Sequence, residues 1–454
     1  MKEALATEKY LLTEGSLLRS VLRLALPMLL GNFLLNTLNI VDMIFVGKLG
    51  PAAIAAVSIG GTLEGLIWTV LVGMGMATTA MVSRYVGARE PHVATQAAVQ
   101  SLFLAVLFSL VIALIGATAA AHLLRLLGAA SEVVEVGTGY VAITFIGSFT
   151  LILYFVIQSI FRGAGDAVTP MIIMAIIAGL NILLDPLLIF GLWIFPRLGV
   201  TGAALATTTA RGVGLIVSFY YLFRPQSPLP FARSDLRIRL DLIRRLVTIG
   251  FPSSINAALL SLASIILMRI VSAYGTIALA AYGVGLRLDL IAMMPGWALG
   301  NSAATLVGQN LGAEKKERAA QSAWLVTGLH VGIMFVLATT FYLFAEPIIA
   351  VFNTHPEVIR VGQEYVRIVV LSYPFLALSM VLSRAFGGAG DTISPLVVTS
   401  LSLFGLLFPL SLLLPRLWSL GTRGVWMAIA VATVFQGSAM ALWFLQGRWK
   451  ERKV

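Results

Sequence analysis

The stretch Gly179-Leu180-Asn181-Ile182-Leu183-Leu184-Asp185-Pro186 lies inside an apolar run of roughly residues 168–194. At 1.5 Å rise per residue that run is long enough to cross a hydrocarbon core about 30 Å thick. Asn181 and Asp185 stand at i and i+4, so a helix places them on one face. An ionised Asp at the bilayer centre costs about 2.5–3.5 kcal/mol on insertion scales, and one kept there faces a wet cavity, a partner or a translocated ion. What Asp185 faces is the question the rest of the chain must answer.

The run is one of many. The chain is 454 residues long, 59% hydrophobic and only 11% charged, a balance foreign to soluble globular proteins and typical of a polytopic helical membrane protein. Twelve spans are expected, at about 20–46, 52–83, 95–121, 137–161, 168–194, 200–224, 247–272, 276–307, 320–345, 363–385, 393–414 and 424–446. Pro27, Pro252, Pro295, Pro374 and Pro409 are candidate kink points. No secretory signal is expected, because Lys2, Glu3, Glu8, Lys9 and Glu14 precede the first span and no small-residue cleavage site follows a short apolar core. The absence of Cys excludes disulfides, thiolate metal sites and cysteine nucleophiles.

The net charge of +11 has its source in one set of loops. The N-terminal segment, the connections at 84–94, 162–167, 225–246 and 313–319, Arg384 and the C-terminal tail hold most of the Lys and Arg, whereas the opposite connections carry single cations such as Lys48, Arg125, Arg197, Arg360 and Arg416. By the positive-inside rule both termini are cytoplasmic. The basic 225–246 stretch is read as an orientation-setting linker, and no nucleic-acid partner is expected.

An internal repeat organises the whole. Phe161-Arg162-Gly163-Ala164-Gly165-Asp166-Ala167-Val168-Thr169-Pro170 returns 225 residues later as Phe386-Gly387-Gly388-Ala389-Gly390-Asp391-Thr392-Ile393-Ser394-Pro395. At the same offset Pro27 meets Pro252, Gly50 meets Gly275, Gly87-Ala88 meets Gly312-Ala313, and Gly137 with Tyr140 meets Gly362 with Tyr365. The fold expected is therefore an all-α membrane protein of two pseudo-symmetric six-helix lobes in the same topology, related by an axis along the membrane normal. The N-lobe is placed at 1–224, the linker at 225–246 and the C-lobe at 247–454. This is transporter architecture.

The repeat also sorts the carboxylates. Asp42, Glu64, Asp185 and Asp289 fall well inside spans. Glu64 maps onto Asp289, a pair common to both lobes, whereas Asp42 maps onto Leu267, Asp185 onto Leu410 and Asn181 onto Leu406. Whatever Asp42, Asn181 and Asp185 do, one lobe does alone. A bland reading makes them buried polar groups satisfied by one another. The functional reading is a proton or Na⁺ site: a carboxylate in a low-dielectric pocket beside a second carboxylate loads and releases a proton near neutral pH, and carboxylate, Asn and Thr oxygens suit Na⁺. Asp289 stands two residues after Arg287, which suggests an intramembrane charge pair. Glu64 is open between substrate contact and structural polar group, Arg211 could pair with an N-lobe carboxylate, and His330 reads as a packing histidine. Met293 and Met294 read as packing residues. The Gly-Ala-Gly-Asp segments lack the Lys-Ser/Thr of a phosphate loop and read as tight turns in which Asp166 and Asp391 cap the next helix. No nucleotide site, catalytic constellation or metal-spaced His cluster is found, so neither an enzyme nor a cofactor is expected.

Taken together, several motifs resemble the multidrug and toxic compound extrusion (MATE) family over nearly the whole chain. They are Asn39-Ile40-Val41-Asp42 with Val46-Gly47-Lys48-Leu49-Gly50, Arg162-Gly163-Ala164-Gly165-Asp166, Gly179-Leu180-Asn181 through Pro186, Gly202-Ala203-Ala204-Leu205-Ala206-Thr207 and Val307-Gly308-Gln309-Asn310-Leu311-Gly312-Ala313. The resemblance implies twelve helices around a V-shaped central cavity and export of cationic, amphipathic small molecules in antiport with H⁺ or Na⁺. It places Asp42, Asn181, Asp185 and Thr207 at the N-lobe cation site of the archaeal and DinF-like branch, where they would also hold Na⁺ if Na⁺ is the coupling ion. Tyr140 falls on the cavity wall and Pro27 where the first helix bends. Glu64, Asp289 and Arg287 are taken as further cavity residues, and Glu64 is an addition relative to that branch. The C-lobe carboxylates that another branch carries on its seventh and tenth helices are absent here. A monomer in contact with membrane lipids is expected. The rival reading is a flippase or exporter of a lipid-like or other endogenous metabolite.

Overall fold

In the computed structural model, which describes residues 12–452, every regular element is helical. Lys2, Glu3, Glu8 and Lys9 of the N-terminal segment lie outside the described residues. The helices are α1 (Leu17–Gly47), α2 (Pro51–Gly87), α3 (Pro91–Leu126), α4 (Ser131–Ile146), α5 (Ser148–Ala164), α6 (Val168–Phe190) and α7 (Val200–Phe223), then α8 (Leu240–Ser272). There follow α9 (Thr276–Gly312), α10 (Lys316–Leu343), the short α11 (Ala345–Phe352), α12 (Pro356–Val369), α13 (Tyr373–Gly388), α14 (Ile393–Ser400), α15 (Phe408–Leu413) and α16 (Thr422–Leu445). Eleven stretches are long and apolar enough to span a bilayer, and the pair α4 and α5, bent by 40° between Ile146 and Ser148, supplies a twelfth. The continuous runs 356–388 and 393–413 each count as one span, the second through a π-helical stretch at Leu401–Leu407 just before Pro409. Proline cannot donate to the preceding turn, and a wider turn is a common way for a helix to absorb that loss.

The described chain packs as two compact units. One is built from Leu22–Phe251, the other from Thr13–Val21 with the residues from Pro252 onward. The basic 225–246 stretch, expected as a connector, is held by the first of these. Thr95 Oγ1 donates to the Pro230 carbonyl at 2.7 Å, Gln100 Nε2 to the Arg237 carbonyl at 2.9 Å, and the Arg239 N–H to Gln100 Oε1 at 3.2 Å. Buried Asp235 accepts from the Ala232 N–H at 3.0 Å and from Gln96 at 3.3 Å. From Leu240 the chain is already helical, so α8 begins inside the stretch read as linker.

Within the first unit α2 packs against α5, α3 and α4, and α6 packs along α7. The second unit repeats the plan, with α9 against α13, α10 and α12 and α13 against α16. Each unit has its own apolar core, one around Ile152, Val156, Ile157 and Ile160, the other around Tyr282, Val366, Ala377 and Trp426. Large apolar side chains on the outer faces, such as Leu114, Leu183 and Ile216, are exposed. In a bilayer that exposure carries no cost, because the solvent there is hydrocarbon.

The repeat is written into the backbone. The glycine before α2, Gly50, has φ 105°, and its copy Gly275 before α9 has φ 94°. Arg89 and Glu314, neither a glycine, hold φ 61° and 60° in the turns after those helices. Both Gly-Asp turns cap the next helix as the motif requires: Asp166 accepts from the Thr169 N–H at 3.0 Å and hydroxyl at 2.6 Å, and Asp391 from the Ser394 N–H at 3.3 Å and hydroxyl at 2.7 Å. One revision follows. Gly199 before α7 (φ 57°, ψ −134°) matches Gly421 before α16 (φ 55°, ψ −132°), so the offset falls from 225 to 222 in the last span of each unit. The connection into α16 is three residues shorter than its copy, and Thr207 and Arg211 therefore correspond to Ile429 and Thr433.

The approach of α6 and α7 depends on Gly202. A Cβ there would sit 2.3 Å from the Leu188 carbonyl oxygen, a backbone atom that cannot yield without parting the helices. Gly202→Ala is expected to destabilise the protein by about 2–3 kcal/mol, read as a lower midpoint in detergent denaturation. Gly212→Ala, whose Cβ would meet only Thr150 Cγ2 at 3.8 Å, should be neutral or slightly stabilising. Asp166→Ala should cost about 1 kcal/mol by the same measurement, through loss of the cap.

Candidate functional site

The site grows from α6. Asn181 and Asp185 are both fully buried and, one turn apart, project to the same side. Facing them on α7 is Thr207. In the amide orientation that satisfies every group, the Asn181 nitrogen donates to Asp185 Oδ2 at 3.2 Å, and its oxygen accepts from the Thr207 hydroxyl at 3.1 Å and backbone N–H at 3.3 Å. Asn181 is thus a fixed bridge between helices. It engages one oxygen of Asp185. Pro186 follows directly and brings no N–H, so the Ile182 carbonyl lacks its usual intrahelical donor and adds an oxygen one turn from Asp185.

Asp42 enters from α1. Its carboxyl lies close to both Asp185 and Thr207. Its Oδ1 is buried and has no hydrogen-bond partner among the described residues. Two carboxylates this close, away from bulk water, cannot both stay ionised without a proton or cation between them. The donors here are carboxylate, hydroxyl and amide oxygens, hard ligands compatible with Na⁺, and the unsatisfied Asp42 oxygen is the kind of atom a proton or Na⁺ would engage. The residues therefore fit either ion.

A second layer of charge flanks this cluster. Arg211, one turn beyond Thr207 on α7, donates through Nη1 to Glu64 Oε1 of α2 at 3.1 Å, with only 18% and 17% of the two side chains exposed. The Tyr140 hydroxyl on α4, bonded to Thr144, lies within electrostatic reach of Glu64, Asp42 and Arg211. The structure thus brings together Asp42, Asn181, Asp185, Thr207, Tyr140 and Glu64. It leaves Pro27 apart: that residue lies 15 positions before Asp42 on the unbroken helix α1, about 22 Å along the axis.

The second unit holds Asp289 in quite different company. The sequence suggests a pair with Arg287, and the structure corrects this. Residues at i and i+2 point to opposite sides of a helix, and Arg287 is exposed while Asp289 turns inward. Asp289 Oδ2 accepts from the Tyr365 hydroxyl at 2.5 Å and Oδ1 from the Tyr373 hydroxyl at 2.7 Å. Tyr365 is the copy of Tyr140, so equivalent acids have different partners: an Arg for Glu64, two phenols for Asp289. Tyr365 also stacks edge-on against Trp426, with Tyr282 on the same indole. His330 is buried against Gly296 and Met380 as a packing residue. Tyr373 and Thr144 were not marked by any motif. Arg211 carried a usable signal, its i+4 spacing from Thr207.

The MatE family model matches residues 27–187 and again 252–413, one copy per repeat. The chain is 30% identical to the probable multidrug resistance protein YoeA of Bacillus subtilis, across 100% of this chain and 98% of that protein. It is 28% identical to the FAD transporter of Shewanella oneidensis, over 93% of each chain. Among solved structures it is similar to the bent form of the Vibrio cholerae MATE transporter VcmN, with a TM-score of 0.88, 26% identity and 98% of both chains covered. With its two helical repeats and the family model matched in each, the chain belongs to the MatE family of multidrug and toxic compound extrusion transporters.

Proposed function

We propose that this protein exports cationic, amphipathic small molecules across the plasma membrane in exchange for H⁺ or Na⁺, with Asp42, Asn181, Asp185 and Thr207 as the ion site. The observation that carries the reading is the Asp42–Asp185 pair, in which Asp185 is fully buried and bridged by Asn181 to Thr207 and the half-buried Asp42 retains a buried, unpartnered carboxylate oxygen. Multidrug resistance relatives of nearly equal length support the class of cargo. The absence of acidic residues from the interiors of spans seven and ten supports the archaeal and DinF-like branch.

Coupling needs only that ion and substrate prefer different states. From outside, an ion enters the site and neutralises the carboxylate pair. That removes the negative charge an organic cation would seek, so substrate affinity falls and the cargo leaves. Inward release of the ion restores the charge, and the carrier takes up a new cation from the cytoplasm or inner leaflet. Pro27 supplies a bend in α1 during this cycle, a proline kink being a natural hinge. Both termini are cytoplasmic in this scheme, with the basic connections on the same side, and the working unit is a monomer in contact with membrane lipids.

One relative is named for FAD, a substrate with an anionic pyrophosphate. Three carboxylates face a single Arg in the first unit's site, a balance that would repel such an anion and favours the cationic reading.

The test is substrate efflux from proteoliposomes under an imposed pH gradient and, separately, an imposed Na⁺ gradient. One gradient should drive efflux by the wild type. Asp42→Asn and Asp185→Asn should each reduce coupled efflux to background while inserting normally. Wild-type rates in both variants would contradict the proposal.

A further inference from the structure

Resting on that ion-coupled reading, we propose that Arg211 is a built-in exchangeable cation, moving from Glu64 to Asp42 when the Asp42–Asp185 pair gives up its proton or Na⁺. Four observations converge. First, the bond to Glu64 at 3.1 Å uses one of the five N–H groups of the guanidinium, and it is the one hydrogen bond of Arg211 among the described residues. A planar fork of five donors has capacity for a second carboxylate. Second, Arg211 and Thr207 are i+4 on one face of α7, and Thr207 already touches the ion cluster through Asn181. Third, Asp42 lies within the electrostatic field of both members of the pair, attracted by Arg211 and repelled by Glu64. Fourth, Asp42 Oδ1 is buried and unpartnered, an acceptor with no donor yet engaged.

The groups facing Asp42 are Asp185 from α6, Glu64 from α2, Arg211 from α7 and Tyr140 from α4, while Tyr154 on α5 lies near Arg211. Three carboxylates share one permanent cation. While an ion neutralises Asp42 and Asp185, Glu64 is the remaining bare acid and Arg211 belongs on it. Once the ion leaves, Asp42 becomes the stronger claim, and the guanidinium can bridge toward it without leaving the site. Arg211 then holds the place of the departed ion until a cationic substrate or a new ion displaces it. It is a positioning residue for charge and not itself a carrier of the transported proton.

This makes opposite predictions for the two partners. Glu64→Gln releases Arg211 to Asp42, so the transported ion must compete with a fixed cation. The ion concentration at half-maximal efflux should rise about tenfold, or one pH unit downward for H⁺. Arg211→Gln leaves Glu64 as an uncompensated acid beside the site, and the half-maximal concentration should fall about tenfold. Glu64→Gln with Arg211→Gln should return within about threefold of wild type, and Arg211→Lys, which keeps the charge, should do the same. A purely structural ion pair would lower the amount of folded protein in each single variant and leave the midpoint unchanged. If Arg211→Gln does not insert, Glu64→Gln and Arg211→Lys decide: an unchanged midpoint in the first, or a tenfold shift in the second, overturns the proposal. Shifts of the same sign in both single Gln variants would also overturn it. Failure of the underlying transport reading looks different, since the wild type would then show no ion dependence at all.

Discussion

A pair of carboxylates placed where water is scarce is the constraint around which the first helical unit is arranged. Asp185 is fully buried on α6 and Asp42 approaches it from α1, and the two are tolerable together only if something positive lies between them. The surrounding sequence answers that requirement in layers. Asn181 and Thr207 lock the geometry by hydrogen bonds, Gly202 lets α7 come close enough to α6 for those bonds to form, and Arg211 keeps a permanent cation one turn away. A stable fold does not need this cluster: the equivalents of Asp42, Asn181 and Asp185 in the other unit are leucines. Its presence in one unit alone is what supports the proposed ion site.

The two units show how a duplicated scaffold divides labour. Caps, glycine turns and even two strained non-glycine residues are copied, so the backbone plan is shared. The buried acids diverge. Glu64 has a guanidinium as partner, whereas Asp289 is held by two phenols inside an aromatic cluster of Tyr282, Tyr365 and Trp426. A charged partner can exchange among carboxylates, and packed tyrosines cannot without unpacking the core. The shorter connection before α16, which moves the repeat offset from 225 to 222, places Ile429 and Thr433 where the first unit has Thr207 and Arg211. A three-residue deletion therefore does not explain the loss of polar character; substitution does.

Much of this could be read from residues alone. Apolar runs of membrane length, the 225-residue repeat and the i,i+4 placement of Asn181 and Asp185 depend only on local periodicity, which sequence carries directly. The helix-capping role of Asp166 and Asp391 was equally readable, because a cap is made within three residues. What escaped depends on which faces of separate helices meet. Asp289 stands two residues from Arg287 in sequence, but i and i+2 face opposite sides of a helix, and its partners are 76 and 84 residues away. Arg211 is legible as a partner for an N-lobe carboxylate, but the bond joins residues 147 positions apart, and only the packed bundle picks out Glu64 as that carboxylate. The role of the 225–246 segment was partly hidden for the same reason, since Thr95, Gln96 and Gln100 hold it to α3.

The central claim, that substrate and coupling ion exchange at the Asp42–Asp185 cluster, is tested most directly by counting ions released on substrate binding. Purified protein in lightly buffered detergent is titrated with a cationic substrate such as ethidium, while a pH indicator and a Na⁺ electrode follow the solution. Release of at least one proton or one Na⁺ per substrate bound is expected from the wild type, and none from Asp42→Asn or Asp185→Asn. Equal ion release from wild type and both variants would contradict it.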